Sequence, residues 1–339
     1  MRQKVISLAS LGGTGLLLAL ALVWLTFTLT TALYRYGVVL FVIGPFVMGL
    51  VSAIVFAALR GDSMRASIAH AMLFVTYVML ATALGLLCLA MEGLVCVLMA
   101  APLVYPVSLV GALLGIGIAR VITTRWARSS TAFILAVLLP LASILLSQPH
   151  ADAPQFKVTS RINISAPPEV VWNNVVTFSD LPTPDDWVLR TGIAYPVRAR
   201  IEGSGIGAVR YCEFSTGPFV EPITTWDAPR RLAFAVTENP APMQEWTFWR
   251  DVHPPHLDGF FVSQQGEFLL VPTADGGTRL EGSTWYRHNL GPAWYWRLWS
   301  DAIIHRIHLQ VLAHVKTLSE TDATGASHTI AAASPRSGA

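Results

Sequence analysis

The chain has 339 residues, of which 53% are hydrophobic and only 13% charged, against about 25% charged in an ordinary soluble domain. A net charge of +2 with bases and acids nearly balanced excludes nucleic-acid binding through a concentrated basic patch. The three cysteines are Cys88, Cys96 and Cys212, and only the last lies in the polar half. That excludes an internal disulfide there and any cysteine-pair metal motif.

The average hides a split: before His150 the only acids are Asp62 and Glu92, and beyond it acids and bases are interspersed. A membrane-crossing helix needs about 20 mostly apolar residues. Stretches near Leu8–Thr31, Val38–Leu59, Ser67–Met91, Leu94–Ala119 and Thr131–Ser147 meet or approach that length, and in lipid they must be helical to satisfy their backbone groups. The basic start of the first, Arg2 and Lys4, resembles a signal peptide, but its apolar core is too long and further spans follow. Pro102 and Pro106 interrupt the fourth, and Glu92-Gly93 opens it. It reads as one crossing, or as a re-entrant piece Leu94–Ala100 followed by a span near Leu103–Val121. With the N-terminus in the cytoplasm, Arg2, Lys4, Arg60, Arg65, Arg120, Arg125 and Arg128 fall inside and only Arg35 outside, as the positive-inside rule requires. Five crossings then deliver the C-terminal half outside the cytoplasm. Glu92, a lone acid at an outer loop, is read as interfacial and not as part of a transport path. Gly111 and Gly115 read as helix-packing surface.

Residues 1–148 are therefore expected to form an all-α transmembrane bundle, 149–155 a Pro-containing linker, 156–320 a soluble domain and 321–339 a disordered Ala/Ser/Gly/Thr-rich tail. The soluble domain opens with an alternating strand, Phe156–Ile164. Pro167-Pro168-Glu169 then starts a helix. Short strands follow near Val197–Glu202, Ala208–Ser215, Glu221–Thr225, Arg231–Glu238, Phe260–Val271 and Thr278–His288, separated by Gly, Pro and Asp turns. This spacing implies an antiparallel sheet. Pro292–Leu318 closes the domain as a long helix with Trp296, Trp299, Ile303, Ile307, Val311, Val315 and Leu318 on one stripe. His314 falls inside the stripe as a satisfied core histidine. Trp294, Tyr295, Trp296 and Trp299 at its start read as core packing, with membrane-surface contact as the alternative.

Three stretches carry a family resemblance: Ile162-Asn163-Ile164-Ser165-Ala166-Pro167-Pro168-Glu169-Val170-Val171-Trp172; Gly205-Ile206-Gly207-Ala208-Val209-Arg210 leading to Glu221-Pro222-Ile223 and Trp226; and the closing helix. On these, the segment from Phe156 to Glu320 resembles the START-related, polyketide-cyclase-like SRPBCC domain. The resemblance implies an α+β helix-grip fold, a curved antiparallel sheet around a long C-terminal helix. It also implies an apolar cavity that holds a lipid or other hydrophobic small molecule. The whole chain looks like bacterial inner-membrane proteins that carry this domain at the C-terminus, which would place it in the periplasm. The implied function is membrane-anchored binding, transfer or sensing of a hydrophobic molecule. A cyclase or dehydratase acting on such a molecule, and a scaffold whose soluble domain binds a protein, are the alternatives. No cofactor is implied.

Candidate cavity-lining residues are Arg210, Glu213, Glu221 and Phe219, the last in the turn Ser215–Phe219 that is similar to a mobile gate in plant-hormone-receptor relatives. Tyr286, His288, Trp299 and His308 complete the set. Alternation in the last strand puts Arg279, Glu281, Ser283, Trp285 and Arg287 on one face, so Tyr286 and His288 should face inward. Tyr286 also reads as plain core, and His288, near a strand end, as surface. In the strand around Arg210, parity leaves open whether Arg210 or Glu213 is buried. Glu221, Glu245 and Glu267 are carboxyls that burial would convert to general acids. Asp301, His305 and His308 lack a further convergent ligand, and the stiff loop His253-Pro254-Pro255-His256 is expected to hold no metal. No phosphate-binding glycine loop precedes a helix, and no nucleophile motif appears.

Overall fold

The computed structural model describes residues 36–60, 68–122, 131, 134, 135, 138, 141, 153–247, 249, 252 and 254–333. The expected span Leu8–Thr31, most of Thr131–Ser147, most of the linker and residues 334–339 lie outside these. The chain divides into two compact units. The first is Met1–Ala151 with Glu245–His256 and Asn289–Trp296; the second is Asp152–Gln244, Leu257–His288 and Arg297–Ala339. Two segments that the sequence assigns to the soluble domain thus group with the apolar half.

In the first unit a π-helical turn, Val39–Ile43, leads into α1 (Gly44–Arg60), followed by α2 (Ile68–Cys88) and α3 (Leu94–Val121). Among the described residues, three helices, Val39–Ala58, Ile68–Cys88 and Leu94–Val121, are long and apolar enough to cross a membrane. Helix α3 runs unbroken through Pro102 and Pro106, so the re-entrant alternative is not formed. Its contact with α1 depends on glycine. A Cβ on Gly111 would lie 2.0 Å from the Phe46 carbonyl oxygen, and one on Gly115 2.3 Å from that of Leu50. Spaced by one helical turn, the two glycines let the backbones approach, as small residues do between apolar helices. Tyr295 and Trp296 pack into this unit as core residues. Trp296 meets Phe41 edge-on at 4.9 Å, and the Tyr295 hydroxyl donates to the Met99 carbonyl. Trp294 is exposed.

The second unit contains β1 (Phe156–Ile164), α4 (Pro168–Val176), β2 (Pro196–Glu202), β3 (Val209–Phe214), β4 (Gly217–Asp227), β5 (Arg231–Ala235), β6 (Phe261–Pro272), β7 (Thr278–His288) and the part of α5 (Ala293–Ala333) from Arg297 onward. The seven strands form one sheet in the order β1-β7-β6-β5-β4-β3-β2, each pair antiparallel. Register shifts in β2–β3, β4–β5 and β6–β7 mark bulges, which bend strands. Pro168 at the first turn, with Glu169 beside it, starts α4, fitting a fixed φ and the positive helix N-terminus.

One core joins Val171, Trp172 and Val175 of α4, inward residues of the sheet such as Ile223, Leu232 and Leu280, and Val311, Leu312 and Val315 of α5. An antiparallel sheet with a long C-terminal helix fits the helix-grip arrangement. The buried face of α5 is rotated slightly from the expected stripe. Ile304 and Leu312 are buried, while Ile303 and Ile307 are only partly so. The helix also continues past Glu320 to Ala333. The first residues past Glu320 are tied down, because Asn174 Nδ2 donates to Asp322 Oδ2 at 2.9 Å and Ala323 packs on the core.

Candidate functional site

Strand register decides the parity question that the sequence leaves open. Arg210 of β3 stands directly opposite Glu221 of β4, and Glu213 stands opposite Arg198 of β2. Position 210 shares its face with the buried Ala208 and Cys212, so Arg210 points inward and is 2% exposed. Its Nη1 donates to Glu221 Oε2 in a buried ion pair. Glu213 points to the other face, where Arg198 Nε and Arg200 Nε donate to it at 2.6 and 3.2 Å. As a cavity-lining acid it is therefore corrected: both arginines hold its carboxyl below the usual range.

Three phenylalanines surround the Arg210 guanidinium. Its central carbon lies 5.5 Å from the Phe178 ring centroid, 5.4 Å from Phe234 and 5.7 Å from Phe268, within reach of cation–π attraction. Burial pushes the Glu221 carboxyl up and the guanidinium pulls it back down. Burial raises the neighbouring Cys212 thiol to about 12, with the Glu221 charge adding to it. Arg210 Nε is buried with no hydrogen-bond partner among the described residues, and so is Nε2 of His314. The His314 ring meets Phe178 at 6.1 Å, so both orphan nitrogens border the same aromatic ring. The expected satisfaction of His314 is not met at that atom.

The remaining candidates lie elsewhere in this unit. Phe219 is half-buried and packs edge-on against Phe214 at 4.8 Å. Tyr286 is fully buried and donates to Asp301 Oδ1 at 2.5 Å. Burial and the Asp301 carboxylate push its phenol up. His288 is 2% exposed and stacks on Phe156 at 5.2 Å, so the surface reading fails. Strand β1 covers the end of β7, where the sequence sees an unprotected strand end. Trp299 is half-buried on α5.

His308 joins a polar chain. Its Nε2 lies 2.8 Å from Thr284 Oγ1, its Nδ1 lies 3.1 Å from Ser160 Oγ, and that hydroxyl lies 2.7 Å from His305 Nδ1. Desolvation first, and His305 second, lower the His308 pKa to about 4. Glu267 pairs with Arg231 at 2.7 Å on a partly exposed surface, which keeps it from acting as a buried acid.

The first unit holds a cluster that the sequence reading misses. Glu92, in the loop between α2 and α3, is buried and groups with Cys96, Glu245 and His256. The Tyr36 hydroxyl donates to Glu92 Oε1 at 3.4 Å, and the Tyr36 ring meets His256 at 5.1 Å. Burial raises the Glu92 carboxyl to about 7, with His256 opposing the rise and Glu245 adding to it. The only local signal is the four-residue spacing of Glu92 and Cys96 across the start of α3.

No family model matches the chain, and no curated protein matches it. Among solved structures, a protein of Nitrosospira multiformis is similar with 19% identity over 48% of this chain and 94% of its own, at a TM-score of 0.31. A protein of Nitrosomonas europaea has 12% identity over 49% and 95%, at 0.31. Truncated norcoclaurine synthase from Thalictrum flavum has 12% identity over 50% and 97%, at 0.32.

Proposed function

We propose that the second unit binds a hydrophobic molecule carrying an anionic or carbonyl oxygen, and that Arg210 recognises that oxygen. The observation that carries this reading is the orphan Nε–H of Arg210, enclosed by Phe178, Phe234 and Phe268. A buried donor without a partner costs about 1–3 kcal/mol, and a ligand oxygen removes that cost while the phenylalanines take the apolar body. His314 Nε2, beside the same Phe178 ring, offers a second polar contact. The acid-catalyst reading draws less support, because Glu221 is committed to Arg210.

The test uses the full chain in amphipol, titrated with a fluorescent long-chain carboxylate and with the matching alcohol. A hydrogen bond to a charged group contributes about 1.5–3 kcal/mol, so the carboxylate is expected to bind about 10- to 100-fold more tightly. The preference should vanish in Arg210→Met/Glu221→Gln. Equal binding of both probes to wild type sinks the reading.

The apolar helices of the first unit hold this domain to a membrane, and the basic residues of the loops favour its placement outside the cytoplasm. A phosphatase fused after Ala339, active only when exported, should be active in whole cells; an inactive but expressed fusion reverses the topology.

A further inference from the structure

Four side chains with metal-binding donors converge in the first unit, from the loop before α3, its first turn and the Glu245–His256 segment. Cys96 Sγ lies 2.7 Å from Glu245 Oε1 and 3.1 Å from His256 Nε2, and the last two atoms are 3.6 Å apart. Glu92 completes a set in which one donor atom from each residue lies within 4.8 Å of the others. Around a tetrahedral ion with metal–sulfur near 2.3 Å and metal–nitrogen or metal–oxygen near 2.0–2.1 Å, neighbouring ligand atoms sit roughly 3.3–3.6 Å apart. To reach those separations the Sγ–Oε1 distance must open by about 0.9 Å, and the other two must change by about 0.5 Å or less.

Two further observations point to a cation. The Glu245 side chain is wholly buried, and Glu92 Oε2, Glu245 Oε2 and His256 Nδ1 make no hydrogen bond among the described residues. Among those residues the one ion-pair partner of either carboxylate is His256. Two carboxyls and a thiol thus face a single imidazole away from water, an arrangement that is costly unless positive charge enters it. The backbone is also shaped to admit Glu245. A Cβ on Gly93 would lie 1.6 Å from Glu245 Oε2, and Leu94 N–H donates to the Trp246 carbonyl at 2.9 Å.

We propose that Cys96, Glu245 and His256 bind a divalent transition-metal ion of the zinc class, and that Glu92 orients His256. Thiolate, imidazole and carboxylate together suit zinc or cobalt rather than calcium or magnesium. His256 presents Nε2 to the ion and turns Nδ1 toward Glu92 Oε2, 3.5 Å away. That is the carboxylate–histidine–metal relation that fixes an imidazole's tautomer and direction. The thiol proton leaves to solvent as the ion binds. Three protein ligands leave a fourth position for water or an exogenous group.

The test strips the full-length, detergent-purified chain with EDTA and titrates it with Co²⁺ alone. A thiolate-to-cobalt charge-transfer absorption should saturate at one ion per chain and disappear when Zn²⁺ is added. Cys96→Ser should abolish the band, and Glu92→Gln should weaken Co²⁺ binding about 10- to 100-fold. A folded wild type that shows no band overturns the proposal, as does a band unchanged in Cys96→Ser, which would assign it to Cys88 or Cys212. If Cys96→Ser does not fold, the wild type decides: Zn²⁺ must raise the unfolding temperature of the stripped chain, and no shift refutes the site.

Discussion

Glu221→Gln is expected to destabilise the second unit by about 3–5 kcal/mol, and Arg210→Met by a similar amount, while the double variant recovers most of the loss. Each single change leaves one partner of a buried pair without compensation, and that is the costly event. In Glu221→Gln the guanidinium stays enclosed by Phe178, Phe234 and Phe268 with no counter-charge. In Arg210→Met the carboxyl remains inside, where burial already pushes its pKa up, and it must take up a proton. Removing both members leaves no charge uncompensated, and the remaining buried amide costs less than a buried unpaired charge. The measurement is a double-mutant cycle on urea unfolding of the full chain. Additive single effects would mean that the two side chains do not act as a pair, and the anchor assigned to Arg210 would lose its basis. The cycle also separates stability from binding: a stable double variant with no carboxylate preference isolates recognition by Arg210 from its part in the fold.

The strands were legible because alternation and turn chemistry are local. Thr278–His288 and Phe156–Ile164 appear with the expected bounds, since each alternates against Gly, Pro or Asp punctuation. The burial of Arg210 was not legible. Its strand carries a charge on both faces, and only pairing with β4 on one side and β2 on the other assigns them. His288 reads from the sequence either as inward-facing or, near a strand end, as surface, and the ring that stacks on it, Phe156 of β1, lies more than a hundred residues earlier in the chain. The metal-type cluster was least legible of all. Cys96 meets Glu245 and His256 across 149 and 160 residues, so no ligand spacing exists to be read. The prolines before His256 read only as a stiff loop, whereas its ring lies against Tyr36 and Cys96.

The second unit is expected to lose about 3 kcal/mol of stability as the pH falls from about 6.5 to about 4, with His308 responsible. Burial lowers the His308 pKa from 6.5 to about 4 in the folded protein, so the unfolded chain takes up the proton first. Stability from this group is complete above about 6.5, drains away as the pH falls, and is exhausted near the folded value. Each unit of separation corresponds to about 1.4 kcal/mol, which sets the total. The geometry explains why protonation is resisted. Neutral imidazole uses one nitrogen as donor and one as acceptor, matching the Thr284 and Ser160 hydroxyls, and His305 beside it would add a like charge. Carboxylates titrate over part of the same window, so the decisive comparison is with His308→Gln, which keeps a donor and an acceptor but takes up no proton. Urea midpoints of the two chains should diverge between pH 4.5 and 6.5, with wild type the steeper. Parallel slopes would place the acid sensitivity elsewhere and leave the hydroxyl–imidazole chain as a static brace between the sheet and α5.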